Sequence, residues 1–468
     1  MEPPANLHKT TERLGTAPLG RLLLRLSLPS IASMLSISLY NLVDTFWVAK
    51  LGFRAVAALT VIMPLWVFIL AVAIGTGVGI NALTSRRFGE KNIFAAHQAA
   101  GQSYFLSLVL GSLFFIAGII FTQQILIICG ATPDIIQFGE EYLIVLAWGM
   151  PFIFAQMIFR NVFNAAGDAV LPMVYTIFGQ VLNVILDPLL IFGWGFFPEL
   201  GVKGAALATV ISNVLSTALA LGFIFANKTP YRFKPVHLIP NGRALFEIYR
   251  IGLPAMLMEA TEAIVFVLFN RVVAGFGSVA LAAMGIAGRI ADLAFMFIIG
   301  TSHGLLPIIG FSYGAKLWHR LWGAVKLTAL WLMGLMVIAT VLLEVFAAQT
   351  VALFNNDPEL IRIAVPGMRI FISTLALIGP AVVFITVFQG LSKGKDAMVL
   401  SLARQFIFFL PALYILPRLM GLTGVWLSLV VSDILGVTVS GLWLYREYRR
   451  QKRGGEWGEA GILSGQEK

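Results

Sequence analysis

The chain has 468 residues, 59% of them hydrophobic and only 12% charged, against about 25% charged in ordinary soluble domains. So little charge excludes a soluble protein of this size, and the single cysteine, Cys129, excludes a disulfide scaffold. The formal net charge of +10 reads as the Lys and Arg that membrane proteins collect in cytoplasmic loops. It does not read as a nucleic-acid surface, because no Cys/His metal spacing or basic helix with interleaved aromatics accompanies it.

A hydrocarbon core about 30 Å thick takes about 20 helical residues. Residues 1–23 are polar, carry Lys9, Arg13 and Arg21, and lack the apolar stretch of a cleaved signal peptide, so they are expected to form a cytoplasmic N-terminal segment. Apolar runs of spanning length follow near 24–49, 55–84, 98–122, 135–165, 170–194 and 202–226. A polar stretch with Lys228, Arg232, Lys234 and His237 interrupts them, and six more runs lie near 246–275, 279–311, 322–348, 361–390, 396–416 and 422–445. The pattern predicts an all-α polytopic membrane protein of twelve transmembrane helices. It divides into an N-lobe (24–226), a cytoplasmic inter-lobe loop (227–243), a C-lobe (244–447) and a basic cytoplasmic tail (448–468). The period-two alternation of barrel strands is not seen.

An even number of spans puts both termini on one side. Loops on that side hold Arg86, Arg87, Lys91, Lys316, Arg320, Lys393 and Lys395, and the tail adds Arg446, Arg449, Arg450, Lys452 and Arg453. The opposite loops have Lys50, Arg54, Lys203 and Arg418, with the acids Asp134, Glu140 and Glu141 in one of them. The positive-inside rule therefore predicts a cell-membrane protein with both termini cytoplasmic.

An offset of 225 residues aligns the chain with itself: Leu28-Pro29 with Leu253-Pro254, Gly52 with Gly277, and Ile74-Gly75-Thr76 with Ile299-Gly300-Thr301. Gly79 with Gly304 and Gly89 with Gly314 extend the match without a gap. Six helices per repeat make the repeat parallel, with lobes related by an axis along the membrane normal and a cleft between them, a build frequent in secondary transporters.

A charged side chain in the hydrocarbon region costs about 2.5–3.5 kcal/mol on the insertion scale, so each asks for a reason. Asp44 in the first span has Tyr40 one turn earlier; Asp187 in the fifth shares a face with Asn183 and Gln180. Gln156, Arg160 and Asn164 form a stripe in the fourth span, and Gln156, Asn161, Asn164 and Gln180 make up a candidate substrate cavity. Under the repeat Asp44 falls opposite Phe269, Glu259 opposite Met34 and Glu262 opposite Ile37, so neither lobe's acids are shared by the other. Asp44 and Asp187 read as ion-coupling residues, whereas for Glu259 and Glu262 a coupling and a structural role stay open. Arg289 and Asp292 read as a helix-surface ion pair, His303 as a packed histidine and Cys129 as a small apolar residue. Gly75, Gly77 and Gly79 read as a close-packing surface. No Walker motif is present to couple ATP directly.

Leu28-Pro29, the segment Asn41-Leu42-Val43-Asp44-Thr45-Phe46-Trp47-Val48-Ala49-Lys50-Leu51-Gly52 and Gly75-Thr76-Gly77 resemble the multidrug and toxic compound extrusion (MATE) family. So do Asn164-Ala165-Ala166-Gly167-Asp168, Asn183-Val184-Ile185-Leu186-Asp187-Pro188, Gly201-Val202-Lys203-Gly204 and Gly310-Phe311-Ser312-Tyr313-Gly314-Ala315. The resemblance runs over roughly residues 15 to 445. It implies a transporter, not an enzyme: a multidrug exporter of amphipathic, cationic compounds by antiport with H⁺ or Na⁺, with two six-helix lobes alternately opening a V-shaped cavity. It implies no cofactor, no metal beyond Na⁺ at the coupling site, and partners limited to small organic substrates and the lipid bilayer, in a monomer. It places the coupling site in the N-lobe, at Asp44, Tyr40, Asn183, Asp187 and Thr209. Another branch uses acids on the seventh and tenth spans; Glu262 matches the first, but Pro380-Ala381 stands where the second would align.

The expected cycle begins with a cation from outside binding Asp44 and Asp187, relieving a repulsion that is costly at low dielectric. The first helix then changes its bend at the hinge Pro29, whose ring removes a backbone hydrogen bond, and substrate leaves outward. Two rivals are a flippase for lipid-linked saccharides and an intramembrane enzyme. The first needs a cavity lined by several cations, where the spans offer chiefly Arg160, Arg289 and Arg404. The second needs a catalytic constellation that the sequence does not show.

Overall fold

The computed structural model describes residues 5–133, 135–195, 197–226, 231, 235–354 and 357–453. Asp134, Lys228, Arg232 and Lys234, with part of the expected inter-lobe loop and the end of the tail, lie outside the described residues. The described chain is overwhelmingly helical because amides in lipid must find partners locally. Among the described residues eleven helices are long and apolar enough to cross a membrane, and a bent pair taken as one span makes a twelfth.

That pair corrects one expectation. The run read as a single span over 361–390 is two helices, Pro358–Ile372 and Leu375–Gly390, meeting at 43°. At the break Ser373 donates back to the Ile370 carbonyl of its own helix at 2.6 Å, whereas Thr374 donates away to the Asp433 carboxylate at 2.8 Å. The eleventh span, Gly394–Met420, widens into a π-helical turn at Ala403–Phe409. Short helices at Ala5–Thr16, Thr122–Ile128 and Ala347–Ala352 were not legible from hydropathy.

The repeat is written into the backbone. The second span, Phe53–Gly89, and the eighth, Ser278–Gly314, both have 37 residues; the third, Ile93–Ile120, and the ninth, Trp318–Val345, both have 28. Lys91 and Lys316, 225 residues apart, adopt left-handed φ values of 58° and 57°, uncommon for side-chain-bearing residues. Gly167 and Ser392 repeat the device at φ 80° and 59°.

Both ends of the described chain lie on one face. Arg320 donates to the Leu14 carbonyl of the N-terminal helix at 2.6 Å, and Trp322 donates to Gln451 of the last helix at 3.2 Å. At this end the lobes are tightly apposed. A Cβ on Gly252 of the seventh span (Gly242–Ala274) would stand 2.6 Å from the Gly75 carbonyl oxygen. One on Gly304 would meet the backbone nitrogen of Ser27, on the first span (Leu19–Ala49), at 2.9 Å. Toward the opposite end, Leu39, Leu42 and Phe46 of the first span and Ile264 and Val267 of the seventh are exposed. The cleft therefore closes on the face carrying the termini and opens on the other.

One ion-pair network ties the closed end across the lobes. Arg87 reaches Glu247 of the seventh span at 2.6 Å and Glu90 at 2.8 Å, while Arg86 also holds Glu90 at 2.8 Å. Glu247→Gln is expected to weaken this end by about 1 kcal/mol, roughly fivefold in conformational population. The distance between spin labels at Lys91 and Lys316 should then broaden toward longer values; an unchanged distribution would mean that the network does not hold the lobes together.

Candidate functional site

The fifth span, Val170–Phe192, places Asn183 and Asp187 one turn apart on its buried face. It can approach the sixth, Val202–Phe225, because Gly179 faces Ser216 with room for no more than a close Cβ contact, and Ser216 donates to the Tyr175 carbonyl at 2.7 Å. That approach brings Thr209 to Asn183. With its NH₂ toward the acid, Asn183 donates to the two Asp187 oxygens at 3.0 and 3.3 Å. Its carbonyl accepts from the Thr209 hydroxyl at 3.2 Å and the Thr209 amide at 3.0 Å. The Tyr40 hydroxyl lies 3.5 Å from the Thr209 hydroxyl. Asp187 is fully buried, at 0% exposure.

Asp44 lies within electrostatic reach of Asp187, and Tyr142 of the fourth span (Ile136–Ala165) within reach of both. Tyr40, Asp44, Asn183, Asp187 and Thr209 thus converge on one site from three spans. Tyr142 was not singled out from the sequence; nothing in its spacing to the acids marks it. Two carboxylates, an amide and hydroxyls offer hard oxygen donors, a set that can hold a proton or a hard cation. Among the described residues no cluster of three or more His, Cys, Asp or Glu is arranged to hold a metal ion.

The fourth-span stripe is only partly as expected. Arg160 and Asn164 line a small pocket with Ser30, Ser33, Met34 and His303 where the lobes meet. Within it the Arg160 Nε and the Asn164 Oδ1 are buried without a hydrogen-bond partner. Asn161 does not join them: it packs against Gly77 of the second span and donates to the Met157 carbonyl at 3.3 Å, because one residue of helix turns it about 100° off the stripe. Gln156 and Gln180 are half-buried. Pro29 lies inside a continuous helix, with Ser33 donating to its carbonyl at 3.0 Å and Ser30 to that of Leu26 at 2.9 Å.

In the C-lobe, Arg404 of the eleventh span reaches Asp433 of the twelfth (Leu422–Arg453) at 3.2 Å and Glu262 at 3.9 Å. Thr374, at the tenth-span break, takes the second Asp433 oxygen. Sequence reasoning found Glu262 and Arg404 but neither Asp433 nor Thr374, since partners on separate spans share no spacing. Glu259 lies beside Glu262 within electrostatic reach, as Arg289 does to Asp292.

Comparison with known proteins agrees with this architecture. The MatE family model matches twice, over residues 29–189 and 254–415, its two copies starting at the paired Pro29 and Pro254. The multidrug export protein MepA of Staphylococcus haemolyticus is 27% identical over 413 residues, covering 88% of this chain and 90% of that protein. The FAD transporter of Shewanella oneidensis is 26% identical over 428 residues, covering 91% and 94%. A solved multidrug resistance MATE family transporter of the MOP superfamily, in an outward-facing conformation, superposes with a TM-score of 0.88 at 27% identity, covering 95% of this chain and 99% of that one. With one lobe plan used twice, a cleft between the copies and a family match spanning both, this chain belongs to the MatE family of membrane transporters and is not an enzyme.

Proposed function

We propose that this protein is a secondary active multidrug exporter of the plasma membrane. It acts as a monomer with both termini cytoplasmic, antiporting amphipathic organic cations against H⁺ or Na⁺. The N-lobe (24–226) carries the coupling site and the C-lobe (244–447) moves against it. The observation that carries this reading is the convergence of Asp44 and Asp187 with Tyr40, Asn183 and Thr209 in a lobe whose cleft opens away from the termini. Two neighbouring carboxylates at low dielectric favour uptake of one cation. Cation binding and substrate binding then drive opposite transitions, provided each favours a different state. In this cycle Pro29 is the hinge of the first span, and Gln156, Asn164 and Gln180 supply polar contacts to the cargo. A saccharide-pyrophosphate flippase is less well supported, since among the described residues Arg160 is the one Lys or Arg lining the inter-lobe pocket.

The test is efflux of a fluorescent organic cation from proteoliposomes, with pH and Na⁺ gradients imposed separately. Efflux driven by either gradient supports antiport and names the ion. Efflux indifferent to both, in protein that binds the dye, would overturn it.

A further inference from the structure

The start of the ninth span and the end of the twelfth meet on the face that carries the termini, and aromatic rings fill the contact. The Trp322 indole packs edge-on against Tyr448, with centroids 5.1 Å apart, and donates to Gln451 at 3.2 Å. Tyr448 stacks with Tyr445 at 6.5 Å, and the Arg449 guanidinium lies 4.6 Å over the Tyr445 ring. Trp and Tyr collect at the headgroup level of a bilayer, where an apolar ring body and a polar edge are both accommodated.

Lys326 extends this cluster toward the bilayer. It lies one turn beyond Trp322 on the same face of the ninth span, and Tyr445 lies one turn before Tyr448 on the twelfth. Because the contact joins the start of one helix to the end of the other, Lys326 and Tyr445 reach a similar depth, about 5–6 Å inward of Trp322 and Tyr448. Lys326 is exposed, and among the described residues no acid pairs with it. An ammonium there keeps its stem on apolar surface and its head in the headgroup layer. Further inward, Leu330, Met333 and Val337 continue the same exposed stripe.

Charge around the cluster is one-sided. Residues 445–453 carry Arg446, Arg449, Arg450, Lys452 and Arg453 against one acid, Glu447. That acid is already engaged, by Lys393 at 2.6 Å and by Gln451 at 3.0 Å. Basic residues at the end of a spanning helix attract anionic headgroups. Arg449 is in addition held in place by the ring beneath it.

We propose that the groove between the ninth and twelfth spans is a site for one anionic phospholipid. The phosphate diester lies between Lys326 and Arg449, the glycerol backbone against Trp322 and Tyr445, and an acyl chain along Leu330, Met333 and Val337. The site concerns binding alone and stands whichever ion or cargo the transporter uses.

The test is native mass spectrometry of the delipidated full chain in detergent, titrated with phosphatidylglycerol or with phosphatidylcholine of the same acyl chains. One retained phosphatidylglycerol is expected, held on the order of tenfold more strongly than phosphatidylcholine. Lys326→Gln and Arg449→Gln should each weaken phosphatidylglycerol about fivefold and leave phosphatidylcholine unchanged. The double variant Arg446→Gln/Arg450→Gln removes two charges from the adjoining face of the same helix and should leave retention nearly unchanged. The lipid series on unaltered protein keeps the test decisive if a variant fails to fold. Equal retention of the two lipids would overturn the proposal, as would displacement of phosphatidylglycerol by equimolar glycerol 3-phosphate, the mark of a soluble-phosphate site. Losses as large in the control pair as in Lys326→Gln would also overturn it, since they would mean diffuse attraction to the tail. So would unchanged phosphatidylglycerol retention in folded Lys326→Gln and Arg449→Gln protein.

Discussion

Asp187→Asn protein is expected to insert and fold, yet to lose gradient-driven efflux by more than about tenfold. Asn preserves volume and can still bond to Asn183, but it neither exchanges a proton nor presents a charge to a cation. The position has no slack, because Asp187 is fully buried and its partner Asn183 is itself pinned by Thr209. Asp44→Asn should cost about as much, and the double variant little more than either single one, since residues acting as one unit are not additive. Glu262→Gln should do less, changing affinity or substrate range while efflux still responds to the ion gradient. Wild-type coupling in Asp187→Asn with coupling abolished in Glu262→Gln would move the ion site to the C-lobe.

Gly304→Leu is expected to be nearly as damaging by a wholly different route. A Cβ at Gly304 would already stand 2.9 Å from the Ser27 backbone nitrogen and 3.0 Å from the Leu26 carbonyl carbon, so a larger side chain cannot be seated while the lobes are apposed. Its repeat partner Gly79 faces the carbonyl of Ile248 with equally little room, and Gly79→Leu should behave alike. Overpacking of this kind costs about 1–3 kcal/mol, which depopulates the state with the lobes apposed at this contact by roughly five- to 150-fold. Transport should fall accordingly, and the Lys91–Lys316 label distance should lengthen. Normal transport by a folded Gly304→Leu variant would show that apposition at this contact is not part of the cycle.

Both predictions rest on a mixture of what hydropathy reveals and what it cannot. Twelve spans and the 225-residue repeat were legible because bilayer thickness sets a length that any spanning helix must meet, and because Pro29 and Pro254 mark the same place in both copies. Asn183 and Asp187 were legible as neighbours because one helical turn puts them on one face. Their convergence with Asp44, Tyr40 and Thr209 followed from family resemblance alone, and the tertiary packing of the first, fifth and sixth spans brings them together. Only that packing directs Asn161 toward Gly77 while Arg160 and Asn164 face the opposite lobe. Only packing splits the tenth span at Ser373 and Thr374, where Asp433 draws the threonine hydroxyl. It likewise joins Arg404 to Asp433 across 29 positions of sequence. The difference is physical: span length and helical face are set by each segment and its solvent, whereas ion pairs, breaks and cavities are set by neighbours from elsewhere in the chain, at distances no local spacing encodes.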